Sequence, residues 1–305
     1  MLKHTILLTA FAGLFFSAAP AMGDATWTGL GATDNWSDMS NWNGDPTAGG
    51  NWYLNSLSST FTSICNVHTL NDWGQGHSGR LYLNEHARLY IPTGGYLDRE
   101  RFKANADSEI HIDGGTFKAD CRPPGHQYIE ITDGTWSAAR WTYMTSPGVG
   151  TLHIVGSDPD QVHLNGFVSW NYNSTPTLQY TLDANGVTPF SIGGEGEFHP
   201  HNQQSIDGFI TIEVAGIDDY LAGVGNVGDV IDLVVCSSGL NYPTAANWTT
   251  GLVDDGKGLV SVHANGVTLE VLGGGPTDVI PEPSTLVIWA LGLLALALYA
   301  RRRRK

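Results

Sequence analysis

Asp113, Lys118, Arg122, Asp133 and Arg140 bring carboxylate, amine and guanidinium groups into one short stretch of the chain. Such groups can hold the carboxylates of a charged polymer, because one guanidinium donates two hydrogen bonds to one carboxylate, and they can also move protons to and from it. Arg122 and Arg140 are the preferred contacts on that ground. Tyr90, His111, Glu130 and His153 form a second set, each the middle residue of a short alternating segment. Other chemistry has no local signature, since the chain lacks a G-x-S-x-G elbow, an H-E-x-x-H pair and a P-loop. His199 and His201 flank Pro200 without the ligand spacing of a zinc site, so no catalytic, cofactor or metal residue is assigned.

Charge narrows the partners. Residues 24–280 hold nine basic residues against 29 acidic ones, a net charge of −20, which argues against nucleic acid. Eight of the nine bases are Arg80, Arg88, Arg99, Arg101, Lys103, Lys118, Arg122 and Arg140, and the ninth is Lys257. Nine acids nearly balance the eight bases, whereas residues 141–280 carry fifteen acids and Lys257 alone. Residues 80–140 are therefore the part of the chain that could approach an acidic polysaccharide. Cys65, Cys121 and Cys236 allow at most one internal disulfide.

The elements that must position these groups are strands. Glycine is abundant, helix-period runs are missing from the body, and short alternating stretches recur between Gly, Asn and Asp. Leu89-Tyr90-Ile91 leads to Gly95 and Leu97; Ile110-His111-Ile112 to Gly115 and Phe117; Ile129-Glu130-Ile131 to Gly134 and Trp136. The glycines are 20 and 19 residues apart, which suits one coil of a parallel β-helix. The flanking aliphatics then point inward and the middle residue outward, with Ile110, Ile129 and Leu152 in one inward row and Ile112, Ile131 and Ile154 in another. Each glycine is expected at a corner with positive φ or close backbone approach. Leu81-Tyr82-Leu83 and Leu152-His153-Ile154 read as further rungs.

Past Pro176 the rhythm stops. Asn185-Gly186 and Asn265-Gly266 stand between strand formers and predict type I′ hairpins. Phe209 to Val214 and Val230 to Val235 read as buried strands. The expected architecture is all-β: a Trp-rich N-terminal cap over 24–79, a β-solenoid over 80–175, an antiparallel β region over 176–272 and a spacer over 273–280. The cap holds Trp27, Trp36, Trp42, Trp52 and Trp73, expected to pack over the solenoid end rather than form an exposed sugar platform. Its Trp27-Thr28-Gly29 and Asn35-Trp36-Ser37 loosely resemble the opening of autotransporter-like repeat proteins.

Both termini read as targeting segments. Residues 1–23 have Lys3, an apolar run from Ile6 to Phe16 and small residues at Ala19, Ala21 and Gly23, the pattern of a signal peptide. At the other end, Pro281-Glu282-Pro283 and Ser284 precede an uncharged run from Thr285 to Ala300 and then Arg301, Arg302, Arg303, Arg304 and Lys305. As a helix those sixteen residues rise about 24 Å, a marginal membrane span, and the basic end favours a cytoplasmic C-terminus. The tail over 281–305 resembles the PEP-CTERM sorting tail. The resemblance implies export, transient anchoring through residues 285–300, recognition by an exosortase-type membrane protease and release to the cell surface or extracellular matrix.

The functional expectation is an exported structural protein that contacts acidic polysaccharide. The alternatives are a carbohydrate-binding module that uses the column Tyr90, His111, Glu130 and His153, and a β-helix polysaccharide lyase or hydrolase that uses acids and bases from neighbouring coils.

Overall fold

A computed structural model of the chain describes residues 23–273 apart from 55–60, 70–78, 85, 105–106, 122–126, 139–141, 146–149, 166–167, 171–176, 194–197, 201–209, 238–247 and 249. The signal-peptide and sorting-tail segments lie outside those residues. Among the described residues no helix is long and apolar enough to cross a membrane.

The fold is nearly all β, and most of it is parallel. Its longest sheet has 13 strands. It begins with β1 (Ala25–Trp27), β2 (Trp42–Asn43) and β3 (Trp52–Leu54). A 7-stranded parallel sheet forms another face, from β4 (Phe61–Ile64) to β6 (Ala87–Pro92), β8 (Ser108–Asp113), β10 (Gln127–Ile131), β13 (Gly150–Val155), β16 (Thr177–Thr181) and β19 (Thr211–Ala215). The chain alternates between the two. Strands β5 (Arg80–Leu83), β7 (Tyr96–Ala104), β9 (Thr116–Cys121), β11 (Gly134–Ala138), β14 (Pro159–Asn165), β17 (Phe190–Gly193) and β20 (Val230–Cys236) extend the long sheet. Strands β12 (Thr142–Thr145), β15 (Val168–Trp170) and β18 (Phe198–Pro200) make a third, 3-stranded parallel sheet. After the helix α1 (Ile217–Ala222), antiparallel strands β21 (Gly251–Val253), β22 (Gly258–His263) and β23 (Gly266–Val271) finish the long sheet against β20.

The solenoid rows form in the expected register. Leu89, Ile110, Ile129, Leu152, Leu178 and Ile212 are successive parallel partners, and Ile91, Ile112, Ile131, Ile154, Tyr180 and Val214 make the second row. Facing them in the long sheet are Leu97, Phe117, Trp136, Val162, Phe190 and Val234, also in continuous register. All eighteen are buried. Alternation puts every second side chain inward, and each fully buried aliphatic or aromatic one contributes roughly 1.5–3 kcal/mol of burial.

Parallel stacking continues well past residue 175, through β16, β17 and β19, and the C-terminal antiparallel pairing starts at β20. The rhythm fades because the coils lengthen: partners in the first row lie 21, 19, 23, 26 and 34 residues apart. Longer connections change spacing but not register. Leu81-Tyr82-Leu83 is a rung too, stacked on β7 in the long sheet rather than on the face of Leu89.

Both Asn-Gly turns need correction. Ala264-Asn265 and Ala184-Asn185 are the central residues and none has positive φ, so neither turn is the primed type. The second copy does close the β22–β23 hairpin. The first is held by the Asp183 carboxylate, which accepts from the backbone of Ser157, Asn185 and Gly186, and then feeds β17 into the parallel sheet.

The opening tryptophans are interior. Trp27, Trp36, Trp42 and Trp52 are buried, with edge-on contacts of 5.2 Å for Trp27–Trp42 and 5.3 Å for both Trp36–Trp42 and Trp36–Trp52. They cannot act as an exposed stacking platform. Trp73 lies outside the described residues.

Candidate functional site

Two outward surfaces carry the chemistry. On the 7-stranded sheet, Tyr90, His111, Glu130 and His153 are register partners on β6, β8, β10 and β13, and Gln179 and Glu213 continue the column. Beside it runs Arg88, Glu109 and Tyr128. Strand spacing of about 4.8 Å lets neighbours bond across rungs. Arg88 Nε donates to Glu109 Oε2 at 2.8 Å, and the two nitrogens of His111 face Glu109 at 3.0 Å and Glu130 at 3.2 Å. Tyr128 donates to Glu130 at 2.6 Å and sits 2.7 Å from His153 Nδ1, whose ring reaches Thr181 Oγ1 at 2.9 Å through Nε2. Tyr90 bonds Asp113, which also accepts from Thr132 at 3.2 Å.

The electrostatics follow from these contacts. Burial raises the Glu130 carboxyl, but hydrogen bonds from Tyr128 and His111 outweigh it and hold the group below the usual range. Glu109 is lowered in the same way, burial opposing His111 and Arg88. Burial and the Glu130 contact push the Tyr128 phenol up, and the Asp113 bond lifts Tyr90 to about 12. Both phenols are therefore donors rather than bases near neutrality.

The second surface lies on the long sheet and went unnoticed in the sequence. Tyr53 stacks on Tyr82 at 4.7 Å with the rings 7° apart, and the Lys103 amine lies 5.8 Å over Tyr82. Arg80 and Arg101 are direct register partners on β5 and β7, both outward, with Arg101 3.3 Å from Glu100. A similar group holds His68 on Tyr96 at 4.0 Å with the Lys118 amine 5.2 Å over Tyr96. The alternation of Leu81-Tyr82-Leu83 signalled that Tyr82 points outward; its neighbours could not be read from it.

Arg99 departs from the basic group. Its side chain is buried, with the guanidinium 3.7 Å over the Trp52 ring and donating to the Gly50 carbonyl. Nε and Nη1 meet no acceptor, and burial pushes its pKa down to about 10. One of the eight clustered bases is thus structural.

The acids and bases expected for a lyase or hydrolase do not share one surface. Asp113 lies on the 7-stranded sheet and Lys118 on the long one, while Asp133 accepts from the Gly134 amide at 2.6 Å. Arg122, Arg140 and His201 lie outside the described residues, and His199 is on β18 beside Ser169. Among the described residues no group of three or more His, Cys, Asp or Glu could hold a metal ion. Cys65 and Cys236 are both buried, and burial pushes the Cys65 thiol up to about 12.

Residues 279–304 match the PEP-CTERM protein-sorting motif. The chain is therefore an exported protein whose tail is of the kind processed by an exosortase, with membrane-anchored sorting before release to the surface. No curated protein and no solved structure matches the chain, so the likeness of its opening to autotransporter-like repeats gains no support.

Proposed function

We propose that the body is a structural solenoid of the cell surface or extracellular matrix that contacts acidic polysaccharide through its basic coils. The observation that carries this reading is the side-by-side placement of Arg80 and Arg101 next to Lys103 and the Tyr53–Tyr82 stack. Like charges on adjacent strands repel, and a polyanion lying across them relieves that cost while the phenols offer it hydrogen bonds. Arg122 and Arg140 belong to this same stretch. They flank β10 and β11 in sequence, and the column Tyr90, His111, Glu130 and His153 is part of the same proposed contact.

Binding of the mature protein to a polyuronate, measured at low and high salt, tests the proposal. The expected result is weak multivalent binding that fades as the Debye length falls from about 10 Å at 0.1 M salt to about 3 Å at 1 M. Arg80→Gln with Arg101→Gln should weaken it several-fold. Binding that ignores both salt and the substitutions would remove the polysaccharide contact from the proposal. Release of oligosaccharide would instead favour the lyase or hydrolase alternative, for which Asp113, Thr132 and Tyr90 already form a connected acid and donor group.

A further inference from the structure

The terminal antiparallel sheet has an outer face whose polarity changes along its strands. Nearest Gly273, the last described residue, one register row runs across it as Leu252, Leu259, Glu270 and Val230. Two residues further along the strands the row is Ser261, Thr268 and Asp232. Leu252 is 68% exposed and Val230 64%, and Val227, 64% exposed, sits so close to Gly273 that a side chain there would collide with it. The loop carrying Val227 is tied to the end of β23, where the Gly228 amide donates to the Val271 carbonyl at 2.7 Å and the Val271 amide to the Asp229 carbonyl at 2.9 Å. Three large aliphatic side chains therefore face solvent at the rim from which residue 273 leads into the sorting tail.

We infer that this rim rests on the lipid surface while the tail is anchored, and so orients the body at the membrane before the tail is removed. Eleven residues, 274–284, separate Gly273 from Thr285, where the apolar run begins, a reach of at most about 40 Å when fully extended. A tether of that length holds the rim at high effective concentration near the bilayer, so a small apolar patch that would not bind alone can stay in contact. The occupant is a zwitterionic lipid interface, because Glu270 in the rim row and Asp229 in the adjoining loop disfavour anionic headgroups. Release of the tail removes the tether and with it the contact.

The test uses the full-length protein in vesicles of phosphatidylcholine and phosphatidylethanolamine, with a photoreactive benzophenone side chain placed at Val227, Leu252 or Ser261. Lipid adducts at Val227 and Leu252 several-fold above those at Ser261 are expected, and their loss once the tail is cleaved. Equal adducts at all three sites, or adducts to a second protein chain at Val227 and Leu252, would overturn the assignment. As a second measure, Val227→Ser with Leu252→Ser should slow tail removal by the sorting protease while leaving the melting temperature of the tailless protein unchanged. An unchanged cleavage rate would leave the rim without a part in sorting.

Discussion

The outer face of the parallel coils and the outer face of the terminal sheet bury similar interiors but present opposite surfaces. On the inner strands of the 7-stranded sheet each outward side chain has a neighbour one rung away on both sides, and Arg88, Glu109, His111, Glu130, Tyr128 and His153 use that spacing to satisfy one another. On the terminal sheet the row Leu252, Leu259, Glu270 and Val230 is mostly apolar and makes no such bonds among the described residues. Backbone pairing alone therefore does not choose surface chemistry. What differs is position: one face lies mid-stack, the other at the rim that leads to the tail.

The largest expected effect tests the stack itself. Ile131→Asp places an unpaired carboxylate between Ile112 and Ile154, and should cost more than about 4 kcal/mol and abolish the folded state, read by loss of the thermal transition. A melting temperature unmoved by this change would sink the common-core half of the comparison. Next comes Leu269→Ala, which opens a cavity in the antiparallel end. It should cost about 2–5 kcal/mol, with hydrogen-exchange protection falling first in β20–β23 and persisting in β6–β13. Uniform loss of protection would mean that the two regions unfold as one unit.

The smallest effect sharpens the contrast between the faces. Because Glu130 is held below its ordinary value of 4.5, the stability it contributes is present above that pH and is lost as pH falls through its folded value. Glu130→Gln should lower the melting temperature modestly at pH 7, and the gap from wild type should close below about pH 4.5. The group is partly exposed, which keeps the effect small. A pH-independent gap would assign Glu130 a packing role only. The terminal row contains a single titratable group, Glu270, so Leu252→Ser should leave acid sensitivity unchanged.

The sequence by itself determined the interior and the address. Inward positions on the stacked rungs are mostly apolar, so Ile110, Ile129 and Leu152, and Phe117 and Trp136, repeat closely enough to be read one coil at a time. The sorting tail is equally local, a motif followed by an apolar run and a basic end. Tertiary structure alone decided which outward residues meet. Arg80 lies beside Arg101, Tyr53 on Tyr82 and Val227 against the exit at Gly273 because strand pairing, not sequence distance, sets those neighbours. Coil length is nearly free, since loop closure grows only slowly costlier with length, so the spacing between rungs drifts from 19 to 34 residues and hides the outer columns. The buried face constrains residue type at each register position, and the exposed face does not.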